Sequence, residues 1–380
     1  MRVEVRYAES LPQIYEQIEE IADKIRKQEK QKQEQQEQKT GKQSKEEPEG
    51  KRPLLWFRGV SNTEHNLEPN IFRGADYKFN KKYTYSNNHL REDYRFQSFM
   101  SRNFDNVTER LPQSVIEWQE IMQHYFTKTR LMDWSESLTV SLEFALDAFI
   151  TPEQTMEIKR KQTLTPALWI LQPVGLNMEV YRSFYRGDCS LISDALDDFP
   201  GRTNIAEEIR KELKKNEEIY VNLGNKNEQN MNVLISLSSL EQIRTSYRGR
   251  EIEALEKFEI NPFFYLLLRY YSDNVPVALS KIPPLAIIHP YHSQRIKMQR
   301  GVFTIFPFYI PDEGMNKLKK MLGKYPPIAM EYMEKCIPYL YKIQITDPQR
   351  VANELIITGA KRGGLYPDME NISKDIENVV

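Results

Sequence analysis

A chain of 380 residues that is 40% hydrophobic and 28% charged has the make-up of a soluble globular protein, one large domain or two smaller ones. Its net charge of -1 argues against a global basic field of the kind that gathers nucleic acid. Cys189 and Cys336 stand alone without metal-ligand spacing, no apolar run reaches the roughly 18 residues a bilayer span needs, and Met1-Arg2-Val3-Glu4-Val5 has no signal-peptide core, so the expectation is a cytoplasmic protein with reduced thiols and no membrane partner.

In chain order, Leu11, Ile14, Ile18, Ile21 and Ile25 recur at helical spacing and predict an amphipathic helix over about 10–26, packed on the domain or on a protein partner. Residues 27–51 lose all apolar character and read as a charged low-complexity helix fading into a disordered linker, or as an inserted loop. Glu and Gln dilute its lysines, which argues against a nucleic-acid arm. Pro53–Phe57 reads as a buried strand that delivers Arg58 into Gly59. A buried guanidinium has to be paired, and glycine lets the backbone turn or a ligand approach closely, so this strand end is a place to hold an anion. The polar stretch 61–73, interrupted by Pro69, reads as a loop. Residues 88–103 are helical, and a second helix opens near Pro112, buries Val115, Trp118, Ile121 and Met122, and ends at Gln123-His124-Tyr125.

Thr129-Arg130-Leu131-Met132-Asp133-Trp134-Ser135 reads as a loop between two helices. Two charged side chains, two hydroxyls and an indole N–H packed into one short loop either satisfy one another or line a pocket. Ser135 or Ser137 caps the next helix, whose apolar residues are Leu138, Leu142, Ala145, Leu146 and Phe149. Ala167–Leu171 is a strand stopped by Pro173. From about 176 to 283 the pattern weakens to an elaborated, largely helical insertion, with a charged helix at 205–220 and a packed apolar stretch at 265–271. Strands follow at 284–288, 301–306 and 339–345, a short helix or turn at 293–299, and a helix at 349–359 closed by glycine. A turn at 363–368 leads into a last helix, 369–380. The predicted fold is α+β: a mixed central sheet flanked by helices in a domain spanning 52–370, with the helical insertion and the charged N-terminal helix and linker added to it.

Three clusters carry candidate chemistry. Arg58 is either a structural arginine paired with a carboxylate such as Asp133, or a phosphate or carboxylate clamp suited by its planar, always-charged fork. Gln123-His124 and the block from Thr129 to Ser135 form the second cluster; a histidine at a helix C-terminus also serves as a plain dipole partner. Arg295 and Gln299, before Gly301 and Phe303, form the third. His289 and His292 have no Asp, Glu or Cys beside them at ligand spacing, so no metal is expected. Phosphate-loop, nucleophile-elbow and His-Glu-x-x-His motifs are absent.

In this order the clusters resemble the FRG-domain family, named for its Phe-Arg-Gly motif, here Phe57-Arg58-Gly59. Gln123-His124-Tyr125 and Thr129–Ser135 resemble its central block, with Phe126 and Lys128 where the family has Gly and Pro. Gln299–Thr304 and Gly363–Asp368 resemble its later blocks. The chain is also similar, more distantly, to Arg-Ser-Glu type ADP-ribosyltransferases, which begin with an aromatic-Arg-Gly strand. That likeness implies NAD or a related nucleotide as ligand, with Arg58 on phosphate, His124 or Gln299 on ribose, and Trp134 walling the base or supporting the core. Gly59, Gln123, Thr129, Arg130, Asp133, Ser135 and Arg295 complete the expected ligand-binding set. The third block, Gln299-Arg300-Gly301, lacks the catalytic Glu of those transferases, so no catalytic residue is assigned. Two alternatives stand beside this reading: a non-catalytic interaction module, as in a bacterial phage-defence or toxin system, and a nucleic-acid processing factor. Convergence of Arg58, Arg130 and Gln299 on an open cleft favours the first reading; Arg58 buried against Asp133 without a cavity favours an interaction module.

Overall fold

Ala167–Leu171 is an unbroken apolar run, and every residue of it is buried. Such a run fits a strand covered on both faces, with a neighbour along each edge. It is the fourth strand in a computed structural model of the chain that describes residues 3–40, 52–64, 67, 69–72, 84–103, 115–150, 164–177, 235–236, 276–278, 284–288, 294–306, 308–310, 337–360, 365, 366, 369 and 373. In chain order the strands are β1 (Glu4–Ala8), β2 (Trp56–Val60), β3 (Leu131–Ser135), β4 (Ala167–Leu171), β5 (Ile235–Ser236), β6 (Pro276–Ala278), β7 (Leu285–Ile288), β8 (Gly301–Ile305), β9 (Phe308–Ile310) and β10 (Leu340–Ile345). The helices are α1 (Leu11–Thr40), α2 (Thr84–Asn103), α3 (Val115–His124), α4 (Leu138–Ile150), α5 (Gln294–Met298) and α6 (Pro348–Ile357). Eight strands form one mixed sheet in the order β1-β10-β4-β2-β3-β8-β7-β5, antiparallel except for the β1–β10 and β5–β7 pairs; β6 and β9 pair separately. The fold is α+β, as expected from the sequence.

Alternation along β4 divides the core. Trp169 and Leu171 join Trp56, Val60, Trp134 and Val302 on one face. Leu168 and Ile170 join Phe57, Tyr341 and Ile343 on the other, where α1 packs through Ile14, Ile21 and Ile25, α4 through Leu142 and Leu146, and α6 through Val351 and Leu355. On this second face Gly59, paired in register with Leu168, lies under α4. A Cβ at position 59 would stand 1.7 Å from the carbonyl oxygen of Ser141 and 2.8 Å from the amide nitrogen of Ala145. The glycine is thus a strand-to-helix contact rather than a turn, and β2 runs through it to Val60.

Capping fixes the helix ends around this contact. Ser137 Oγ accepts from the Val140 amide at 3.4 Å, and Ser135 Oγ accepts from the Ser137 amide at 2.9 Å, so Ser137 caps α4 and Ser135 holds the cap. Asp347 caps α6 by accepting from the Arg350 amide at 3.1 Å, with Pro348 in the first turn. Gly359, at φ 92°, closes α6.

Several boundaries differ from the sequence reading. Arg58 sits inside β2, not at a strand end. Residues 131–135 are a strand, not a loop: Leu131, Met132, Trp134 and Ser135 are buried and Asp133 is exposed, and the whole segment pairs with β8 from Leu131↔Ile305 to Ser135↔Gly301. Its dense polar groups hid the buried pairs on either side of Asp133. Within α4 the polar Ser141 and Glu143 are buried too. Helix α1 runs on past Arg26 to Thr40, in keeping with the charged-helix reading of the stretch that follows. β1 had no signature because it is an edge strand with inverted alternation: Val5 and Tyr7 are exposed, while Arg6 turns to Glu4 and Glu20. The 176–283 insertion outside its described pieces, His289, His292, both cysteines and nearly all of the 369–380 segment lie outside the described residues.

Candidate functional site

β2 pairs with β4 along all five of its residues, and β3 pairs likewise with β8. Between β2 and β3 the register holds at one pair alone, Phe57↔Ser135. The two halves of the sheet therefore separate beside that pair. Arg58 reaches across the seam and donates from Nη1 to the Asp133 carbonyl oxygen at 2.5 Å, a side-chain bond where a ladder bond would otherwise run. A cavity of about 400 Å³ opens at this seam, within the range of small-molecule sites.

The walls of the cavity come from distant parts of the chain. β2 supplies Arg58 and Gly59; α3 supplies Gln123 and His124; β3 supplies Asp133, Trp134 and Ser135; the segment before and into β8 supplies Arg295 and Gln299. Thr129 and Arg130, expected with them, stand behind the wall. Thr129 is buried and its hydroxyl donates to Gln123 Oε1. Arg130 is fully buried and donates to the Phe306 carbonyl at 3.0 Å. Residues the sequence did not single out as site candidates also line the cavity: Glu120 on α3, Phe126 just after it, and Phe144 on α4. Glu120 carried no signal because a carboxylate in a helix normally reads as a solvated face, yet it is 1% exposed.

Hydrogen bonds fix the wall. Gln123 Nε2 donates to Asp133 Oδ1 at 2.6 Å, so one amide joins α3, the Thr129 turn and β3. Ser135 Oγ donates to the Gln299 carbonyl at 2.7 Å, and Gln299 Nε2 donates to the Leu365 carbonyl at 2.8 Å. Arg295 lies over the Tyr366 ring, 4.6 Å from its centroid, and that ring meets Phe144 edge-on. Leu365 and Tyr366 thus bring the C-terminal block to the same place as the other three. Trp134 donates to Thr304 Oγ1 at 3.1 Å and is 5% exposed, so its indole supports the core more than it walls the opening.

The Asp133 carboxylate beside Arg58 is exposed to solvent. Arg58 Nη1 lies 3.9 Å from Asp133 Oδ2, and the Asp133 side chain is 58% exposed against 19% for Arg58. A pair this open contributes about 0–1 kcal/mol. Among the described residues no group of His, Cys, Asp and Glu is placed to hold a metal ion, and no helix is long and apolar enough to cross a membrane.

His124 is half-buried at the end of α3. Burial first, and the Arg295 guanidinium second, hold its pKa below the usual 6.5, while Asp133 pulls the other way. Below that pH the unfolded chain takes up the proton more readily than the folded one. Stability from neutral His124 is therefore present above about pH 6.5 and lost as the pH falls through the lowered folded pKa. The midpoint of thermal unfolding should fall more steeply on acidification in the wild type than in His124→Gln. Parallel profiles would refute this origin.

Compared with known protein families, residues 53–153 match the family model of the FRG domain. An FRG domain is therefore present in this chain. The matched segment carries β2, α2, α3, β3 and α4, and the cavity draws its remaining walls from residues beyond it. No curated protein and no solved structure matches the chain.

Proposed function

We propose that the cavity at the β2–β3 seam binds a phosphate-bearing ligand of the NAD or ADP-ribose kind, with Arg58 as the group that takes the phosphate. The observation that carries this reading is the setting of Arg58: a half-buried guanidinium on the wall of a 400 Å³ cavity, beside an exposed aspartate. Arginine in a partly desolvated wall gives charge-assisted, bidentate donation that water screens weakly. Arg295 adds a second cation, and Gln299 and Ser135 add polar groups held in place by their own bonds. Transfer of ADP-ribose would further require a carboxylate near the ribose. The third sequence block lacks one, and Glu120 in the cavity wall is the candidate for that role.

Calorimetry and thermal shift with NAD and with ADP-ribose test the reading. The wild type should bind, Arg58→Ala should bind at least about tenfold more weakly, and Arg58→Lys should fall between them. Release of nicotinamide from NAD, abolished by Glu120→Gln, would extend the reading to a transferase or hydrolase. A folded wild type that binds neither compound sinks the nucleotide reading and leaves the interaction module.

A further inference from the structure

Helix α3 ends in a Schellman arrangement. The Thr127 amide donates to the Met122 carbonyl at 2.8 Å, and the Phe126 amide donates to the Gln123 carbonyl at 3.0 Å. This closure needs a left-handed residue, and Phe126 fills the place at φ 62°. Helix α6 closes in the same way, with the Ala360 amide on the Leu355 carbonyl at 3.4 Å and the Gly359 amide on the Ile356 carbonyl at 2.9 Å. There the left-handed place belongs to Gly359. Left-handed backbone is disfavoured for any residue with a Cβ and most for bulky ones. The core does not ask for phenylalanine either, because Phe126 is 87% exposed. It nevertheless borders the cavity that Arg58 and His124 line.

We propose that Phe126 is a specificity-determining residue, an aromatic platform at the cavity rim on which the planar base of the ligand stacks while Arg58 holds its phosphate. The proposal rests on the nucleotide reading and adds the class of ligand that is preferred: one carrying an aromatic base over a bare sugar phosphate. An exposed ring offers a face to a base without first shedding protein contacts, and base-on-aromatic stacking is tolerant of base identity. A glycine at 126 would satisfy the helix end and offer the base nothing.

Calorimetry of wild type, Phe126→Gly and Phe126→Trp with ADP-ribose and with ribose 5-phosphate separates the possibilities. Phe126→Gly should weaken ADP-ribose binding about tenfold, leave ribose 5-phosphate within about twofold, and raise Tm by about 2 °C; Phe126→Trp should keep ADP-ribose binding. Equal ADP-ribose affinity in wild type and Phe126→Gly would overturn the platform and leave the Arg58 phosphate site standing. Parallel loss of both ligands would overturn it too, since the ring would then shape the cavity as a whole. No binding of either ligand to the folded wild type would remove the nucleotide reading and the platform with it.

Discussion

Gly59→Ala is expected to destabilise the protein by about 3 kcal/mol and to lower Tm by roughly 6–12 °C. The added methyl would meet backbone, the carbonyl oxygen of Ser141 at 1.7 Å and the amide nitrogen of Ala145 at 2.8 Å. A side chain can rotate away from such a clash, whereas a helix backbone has to shift as a body. Moving α4 off β2 would open the contacts that Leu142, Ala145 and Leu146 make in the core. It would also drag Ser137 from its cap and Ser135 from the Gln299 carbonyl, so the cavity wall would loosen with the fold. Two other glycines calibrate the effect. At Gly359 an added Cβ meets nothing within 4 Å but the backbone is left-handed, so alanine should cost about 1 kcal/mol. At Gly301 the Cβ would meet the Cγ2 methyl of Ile296 at 3.0 Å and the Ile296 carbonyl oxygen at 3.6 Å, a far looser fit than at Gly59, and the loss should fall well below that of Gly59→Ala. Chemical unfolding of the three variants gives the ranking; a Gly59→Ala protein within 1 kcal/mol of wild type would show that α4 does not bear on β2 this tightly.

This glycine also marks how far the sequence could be read. A glycine inside an apolar strand signals close approach of something, and the sequence alone could not say whether a ligand or a helix. The central elements were legible because their apolar patterns are strong: Ala167–Leu171, the face of α4, and the strands near 301 and 340. β1 was not, because its exposed Val5 and Tyr7 and its inward Arg6 reverse the usual alternation at a sheet edge. At the site, the ordered blocks pointed to residues that do gather around one cavity: Arg58, Gln123, His124, Asp133, Ser135, Arg295 and Gln299. Glu120 and Phe144 were missed as site residues because helical periodicity is silent about which polar or aromatic residue faces a gap between strands. The seam itself depends on strand pairing between β2 and β3, and that long-range fact leaves no local trace.

Arg130 separates scaffold from ligand site. Arg130→Ala should cost about 3–5 kcal/mol, as expected when a fully buried charged side chain is removed and its partners are left unsatisfied. The guanidinium donates to the Phe306 carbonyl at 3.0 Å, and the Arg130 carbonyl accepts from the Phe306 amide at 3.1 Å, so this residue ties the start of β3 to the end of β8. Arg130→Met keeps volume and drops the donor, and should lose less, about 1–3 kcal/mol. Neither change removes a group from the cavity wall. Measured on the folded fraction, ADP-ribose affinity of Arg130→Met should therefore stay within about twofold of wild type, while Arg58→Ala weakens it at least about tenfold. The opposed pair of effects is what the geometry demands of two arginines on either side of one wall. An Arg130→Met protein that folds normally and yet fails to bind would return Arg130 to the ligand site.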